Sequence, residues 1–353
     1  MKVLHSYCLN YNIGDYALGI GVKNLLRKYL EIDLIAETNI QGQYFTQYYI
    51  DEVVNKKYDL LVIGGGGLID GAHWPNGWFW LIDKELISSI RIPFIVYGVG
   101  VNYFEKEQIP EKAISHLRET YERAAFFSVR NDGSYDRIAN LVGINPRIVP
   151  DPGFHVGLNR DYRRIIRNPY VIIQVANDKT DKRYSNEHSK EEFVISMRRI
   201  VSQISTSYHI LMAPHVYDDI VLSQEIIRGI PNCSIWNFGN IAFDNIDIAI
   251  SYYKYASFVL SMRGHGQIIP LSFNVPVIAL CNHPKHQSLM INIGLSKYAL
   301  LIKENGFEKR TLDLIDEICN NYDNLVSYLK RKNEEFSGES KEAFDQIRKA
   351  INS

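Results

Sequence analysis

Phe258-Val259-Leu260-Ser261-Met262-Arg263-Gly264-His265-Gly266 is an apolar strand that runs straight into a glycine-flanked turn carrying an arginine and a histidine. An amphipathic stretch, Gln267 to Phe273, follows at once, and then a second apolar strand, Pro276 to Cys281. Strand, turn, helix and strand in that order predict a parallel α/β sheet, which collects its ligands at the carboxyl ends of its strands. The turn is a poor way to build a core and a good way to bind an anion. Gly264 and Gly266 remove side-chain bulk, the Arg263 guanidinium offers a planar fork of donors suited to phosphate or carboxylate, and His265 is easily tuned to exchange a proton near neutral pH. The structural alternative pairs Arg263 with a neighbouring domain and satisfies His265 with a backbone carbonyl.

Working outward, the first half repeats one unit: a short apolar run, a Gly- or Asn-rich turn, and a helix-like segment. Val3 to Cys8 runs into Asn10-Tyr11-Asn12-Ile13-Gly14-Asp15, with Leu18, Val22, Leu25, Leu26 and Tyr29 following at helical spacing. Tyr58 to Ile63 runs into four glycines, 64 to 67, Pro93 to Tyr97 into Gly98-Val99-Gly100-Val101-Asn102, and Phe126 to Val129 into Arg130-Asn131-Asp132. The pattern restarts with Tyr170 to Val175, His209 to Ala213, Cys233 to Trp236, and the two strands that flank the Arg263 turn. We therefore expect an α/β chain of two Rossmann-like, doubly wound domains facing a cleft. The expected boundaries are an N-terminal domain over 1–160 on the acceptor side, a linker near 157–169, a C-terminal domain over 168–310 on the donor-anion side, and a helical tail over 311–353 that closes the fold.

Composition excludes several classes. The chain has 353 residues, 46% hydrophobic and 22% charged, with a formal net charge of −1, which disfavours a nucleic-acid partner held by bulk electrostatics. No run approaches the roughly 18 apolar residues of a membrane span, and Met1-Lys2-Val3-Leu4-His5 lacks a signal-peptide pattern, so a cytoplasmic location is expected. The four cysteines, at 8, 233, 281 and 319, show no C-x-x-C spacing and suggest neither zinc nor redox chemistry. The glycine turns lack the triphosphate-loop spacing. They also miss the dinucleotide fingerprint, because Asp70 and Tyr103 stand where its third glycine belongs.

Other strand ends carry candidate binding groups. Asn12, Gly14 and Asp15 open a helix whose amides attract anions, or simply cap it. Gly65, Gly66 and Gly67 suggest a turn where a ligand or neighbouring backbone comes close. Arg130 is expected to project from a strand end, with an ion pair to nearby acids as the alternative. Asn177 and Asp178 can accept hydrogen bonds from hydroxyls or form an Asx turn. His215 follows a strand and either binds substrate or caps the next helix with Asp218. Lys285, after the strand next to the Arg263 turn, can reach the same anion or lie exposed. Asp151, between two prolines, reads as structural.

In order and spacing, these segments resemble the polysaccharide pyruvyl transferase family over nearly the whole chain. The pieces that carry the resemblance are Asn12-x-Gly14-Asp15, Gly64 to Gly67, Gly98-x-Gly100, Ser128-x-Arg130 with Asp132 and Ser134, Pro150-Asp151-Pro152, Pro214-His215, and Ser261-Met262-Arg263-x-His265. The resemblance implies a GT-B-like pair of domains and transfer of the enolpyruvyl unit of phosphoenolpyruvate to a sugar, commonly as a ketal across two hydroxyls. It makes Arg130, Arg263, His265 and Lys285 the donor-site residues. Two positions depart from the family: Gly264 stands where leucine is common, and Asn282-His283 where an aromatic and an acid often precede the lysine.

The residue chemistry suits that reaction. Phosphoenolpyruvate carries a carboxylate and a phosphate, which call for permanent cations, and ketal formation needs a proton at the methylene carbon, for which His265 is the expected general acid. No metal and no cofactor beyond phosphoenolpyruvate as co-substrate is expected. The other expected partner is a sugar acceptor that is lipid-linked, nucleotide-linked or polymeric; a lipid-linked one implies peripheral membrane contact. A nucleotide-sugar glycosyltransferase and a non-catalytic anion- or sugar-binding protein are the competing readings.

Overall fold

The computed structural model describes every residue except 10–11, 71–73, 75, 103–108, 163–165, 185–188 and 353, and the side chains of 243 and 244. Asn10 and Tyr11 of the first expected turn, and part of the expected linker, lie outside the described residues.

The first sheet contains β1 (Lys2–Tyr7), β2 (Leu34–Asn39), β3 (Leu60–Ile69), β4 (Phe94–Val101), β5 (Phe126–Arg130) and β6 (Arg147–Val149), in the order β2-β1-β3-β4-β5-β6. The second contains β7 (Tyr170–Gln174), β8 (His209–Met212), β9 (Cys233–Ile235), β10 (Val259–Ser261), β11 (Val277–Cys281) and β12 (Ala299–Leu301), in the order β12-β11-β10-β7-β8-β9. Every pairing is parallel. These are the two Rossmann-like domains expected.

Unit 1 comprises Met1–Asn10, Leu18–Gly157 and Glu335–Ser353; unit 2 comprises Tyr11–Ala17 and Leu158–Glu334. The helix Ile13–Tyr29 thus begins in unit 2, and the helix Tyr322–Asn352 ends in unit 1. Within unit 1, strand alternation sorts the core onto two faces. Leu61 and Ile63 join one buried cluster, while Leu60 and Val62 join the other with Val22, Leu26, Phe344 and Ile347. Burial on both faces explains the continuous apolar runs of the central strands.

Both sheets wind outward, return to the middle and wind outward again. The returns place β3 beside β1 and β10 beside β7. At such a switch point the turns after the two adjacent strands diverge and leave a crevice at their carboxyl ends.

The glycine run corrects one expectation. Residues 64 to 67 continue β3 instead of forming a turn, with a register shift against β4 between Gly66 and Ile69. Pressure from neighbours accounts for their smallness: a Cβ on Gly65 would lie 3.0 Å from Pro152 Cγ and 3.2 Å from Leu18, and one on Gly67 3.1 Å from Asn102.

Unit 1 also holds His5, His116 and half-buried His155. His5 bonds the Gly64 carbonyl through Nε2. His116 accepts from Trp78 Nε1 at 2.8 Å through Nδ1, and its Nε2 contacts the Ile82 carbonyl at 3.0 Å, so that Nε2 carries the proton. Burial, the largest influence on each, pushes these two and His155 from 6.5 down to about 4. The unfolded chain binds these protons near pH 6.5 and the folded chain does not. Their contribution is therefore complete above about pH 6.5 and is lost as pH falls toward 4, at about 1.4 kcal/mol per unit of displacement. Denaturation midpoints of unit 1 should fall over that interval and level off below it. His5→Gln and His116→Gln should each flatten the slope.

Candidate active site

The turn after β10 is built by its own side chains. Arg263 N donates to Gln174 Oε1 at 2.8 Å and to Ser261 Oγ at 3.2 Å, and Gln267 Nε2 donates to the Ser261 carbonyl at 3.0 Å. Gly266 is required there, since a Cβ would lie 3.2 Å from Ser261 Cβ and closer still to its hydroxyl. Gly264 is not, because its nearest neighbour would be His286 Cδ2 at 4.0 Å. The helix Gly264–Ser272 starts at once, without a side-chain cap, and half-buried His265 lies in its first turn.

β11 is hydrogen-bonded to β10, with Ser261 opposite Ala279, so the turns that follow them are neighbours. The β11 turn opens the helix Pro284–Asn292, capped by His283 Nδ1, which accepts from Lys285 N at 3.2 Å. Half-buried Lys285 therefore stands in the first turn of the helix adjacent to that of His265. Two helix N-termini, each carrying partial positive charge, and one lysine open at the same sheet edge.

Arg263 turns away from the role its fork suggested. Nε donates to Asp219 Oδ2 at 2.8 Å, and Nη2 to Asp219 Oδ1 at 2.7 Å and Asp178 Oδ1 at 2.5 Å. Burial alone would lower the guanidinium, but Asp219 and Asp178 outweigh it and raise its pKa. Asp178 is in turn held by both oxygens to Arg183 Nη2 at 3.1 Å, and Arg183 Nη1 donates to Asn282 Oδ1 at 2.8 Å. Burial pushes Asp178 up, and Arg263 and Arg183 bring it below its usual value. These two arginines and two aspartates balance in formal charge.

His215 is buried. Its N donates to Asp219 Oδ2 at 3.2 Å, and its Nε2 shares a hydrogen bond with Tyr253 Oη at 2.6 Å. Burial, then Arg263 and His265, hold it well below 6.5, and burial raises the Tyr253 hydroxyl. The acid that joins the His215 turn is thus Asp219, not Asp218, whose carbonyl accepts from Asn177 Nδ2 at 3.1 Å.

Asn12 Oδ1 accepts from Gly14 N at 3.0 Å and caps the helix Ile13–Tyr29, with half-buried Asp15 in its first turn. Gly14 packs on the catalytic candidate itself: an added Cβ would lie 2.5 Å from His265 Nδ1 and 2.9 Å from its Cβ. Gly14→Ala should displace the imidazole and lower turnover, by up to about 10²-fold where the displacement reaches the order of 1 Å. Steady-state rates beside a thermal melt check this, and a normal rate in Gly14→Ala would show that the imidazole position is immaterial.

Unit 2 thus gathers Asn12, Gly14, Asp15, Asn177, Asp178, His215, Arg263, Gly264, His265, Gly266 and Lys285, while Gly65 to Gly67 and Arg130 belong to unit 1. Arg130 is buried, with Nε 2.6 Å from Asp132 and Nη1 3.1 Å from Asp151. Burial opposes its charge, but the two carboxylates raise its pKa overall. This is the ion pair weighed against anion binding, enclosed rather than at the surface. Gly100 makes room for it, since a Cβ there would lie 2.6 Å from Arg130 Cζ. Asp151, read as structural, is one of its anchors. Sequence reasoning gave no role to Asp219, Arg183, Gln174 or Tyr253; the available signal for Asp219 was a carboxylate in the first helical turn after a strand end.

Among the described residues no helix is long and apolar enough to cross a membrane, and no group of three or more His, Cys, Asp or Glu is disposed to hold a metal. No curated protein matches the sequence. A Listeria monocytogenes structure described as a UDP-N-acetylglucosamine 2-epimerase is 14% identical with TM-score 0.59, covering 100% of this chain and 96% of that one. A second UDP-N-acetylglucosamine 2-epimerase is 12% identical with TM-score 0.58, over 98% and 94%. Anabaena HepE, solved with UDP and glucose, is 11% identical with TM-score 0.53, over 100% and 99%. At these identities the likeness shows the fold, which is that of GT-B-type enzymes and leaves the chemistry open. The family sequence model is more specific: it matches residues 12–284, which run from the Asn12 cap through the His265 turn to the first residue of the Lys285 helix. The chain belongs to the polysaccharide pyruvyl transferase family.

Proposed function

We propose that this protein transfers the pyruvyl group of phosphoenolpyruvate to a sugar of a cell-surface polysaccharide or its precursor, forming a ketal across two hydroxyls. The observation that carries the proposal is His265 in the first turn of one helix beside Lys285 in the first turn of the next, at the switch point of unit 2. The amides of both turns and the Lys285 ammonium receive the phosphate and carboxylate. His265 delivers a proton to the methylene carbon, C2 becomes oxocarbenium-like, and one sugar hydroxyl adds to it. A second hydroxyl then displaces inorganic phosphate, and the two hydroxyl protons leave to restore the imidazolium and protonate the phosphate. Asn12, Asp15 and Asn177 supply hydrogen bonds to the substrates, while buried His215 holds Asp219 and Tyr253. Arg263 and Arg130 act as internal braces, because carboxylates already occupy their forks. The reaction so written needs no metal or redox cofactor, and we place it in the cytoplasm.

Glycosyl transfer from a nucleotide sugar is the second reading, favoured by the likeness to proteins solved with UDP. Phosphorus NMR of the protein with phosphoenolpyruvate and a panel of oligosaccharide and lipid-linked acceptors separates the two. Acceptor-dependent release of inorganic phosphate, with label from the pyruvyl carbons appearing in the sugar, is expected. Release of a nucleoside diphosphate from a nucleotide sugar, with phosphoenolpyruvate untouched, would replace pyruvyl transfer by glycosyl transfer.

A further inference from the structure

Asp219 is fully buried, yet three strand-end turns converge on it. Oδ1 accepts from Asn177 N, after β7, at 3.1 Å and from Arg263 Nη2, after β10, at 2.7 Å. Oδ2 accepts from His215 N, after β8, at 3.2 Å, from Arg263 Nε at 2.8 Å and from Gln174 Nε2 at 3.3 Å. The two Arg263 bonds form a parallel fork, the geometry a guanidinium would otherwise offer a phosphate. Gln174 grips the same arginine from the other side by accepting from its backbone N. The next residue, Gly264, contributes little restraint of its own, having only His286 Cδ2 within reach of an added Cβ. The imidazole of His265 rests against Gly14, and how Arg263 is held sets the turn from which it projects.

We propose that Asp219 is a positioning residue: through Arg263 it fixes the turn that carries His265, and it retains Arg263 as a strut instead of a ligand of the substrate anion. The activity readout rests on the pyruvyl-transfer proposal; the spectroscopic readout does not.

Asp219→Asn keeps the volume but sets an amide donor against a guanidinium donor. Its turnover with phosphoenolpyruvate should fall by about 10²-fold, with KM for phosphoenolpyruvate unchanged. Proton NMR of the intact protein should show the Cε1–H resonances of His265 and His215 displaced, the first identified by its loss in His265→Gln. Those of His5 and His116 in unit 1 should stay in place. An unmoved His265 resonance would overturn the proposal, as would a lower KM, the mark of a fork released to bind the anion directly. Arg263→Lys provides a second variant if Asp219→Asn does not fold: an ammonium cannot make the fork, so kcat should fall at constant KM, whereas a raised KM would make Arg263 a ligand. If wild-type protein releases no phosphate from phosphoenolpyruvate, the donor proposal fails alone and the histidine resonances still decide the role of Asp219.

Discussion

His265→Gln is expected to leave the protein folded and to lower pyruvyl transfer by about 10²- to 10⁴-fold, the range that a positioned general acid contributes. Glutamine retains a hydrogen-bonding end of similar reach but cannot protonate carbon. The half-buried histidine sits in the first turn of a helix, against Gly14 and beside the turn of Lys285, so the substitution costs little packing. Binding should survive, because in the proposed arrangement Lys285 and the helix amides receive the anion. The expected pattern is a collapse of kcat with KM for phosphoenolpyruvate nearly constant, read from phosphate release at saturating acceptor. A variant that unfolds would instead make His265 a packing residue. A variant that works at normal rate would remove it from the chemistry.

The second large effect concerns stability. Arg130→Met should destabilise unit 1 by about 3–5 kcal/mol, because it strands two carboxylates in the interior. Asp132 and Asp151 have side-chain exposures of 5% and 0%, too low for water to take over from the guanidinium. Asp132 also accepts from Ser134 N at 3.2 Å and from the Ser134 hydroxyl, and Asp151 from Gly153 N at 2.8 Å, all neutral donors. Equilibrium denaturation measures the loss. The triple change Arg130→Met/Asp132→Asn/Asp151→Asn should recover much of it, since removing all three charges also removes their desolvation cost. Normal stability together with weakened phosphoenolpyruvate binding in Arg130→Met would return Arg130 to the donor site and contradict the brace.

These two arginines show where sequence reasoning reaches its limit. A strand ending in an arginine looks the same whether the side chain meets a ligand or an internal acid. Arg130 had its answer near at hand in Asp132, two residues on. The partners of Arg263 lie 44 and 85 residues away, at strand ends that become neighbours only once the sheet order is known. Asp219 was invisible for the same reason, as its function is to join three turns that are remote in the chain. The glycines of β3 illustrate a second ambiguity, because close approach by a ligand and close approach by Pro152 or Asn102 demand the same small residue.

The central strands were legible because both of their faces are buried, which writes them as uninterrupted apolar runs. The strands that escaped notice, β2, β6 and β12, are all sheet edges. β2 reads Leu-Ile-Ala-Glu-Thr-Asn and is half to fully exposed along its length, and the other two are only three residues long. An edge strand pairs on one side only and leaves little hydrophobic record. The turns of the candidate site, after β1, β7, β10 and β11, were legible because each combines Gly, Asn or Asp with a charged or titratable residue directly after an apolar run.

Donor identity is the central claim, and thermal unfolding of the wild-type protein with phosphoenolpyruvate or with UDP tests it most directly. A ligand of the folded state at a hundredfold excess over its Kd stabilises by about 2.7 kcal/mol. Pyruvyl transfer predicts a rise in Tm with phosphoenolpyruvate and none with UDP. A rise with UDP alone would contradict the account and make this chain a nucleotide-sugar enzyme on the same fold.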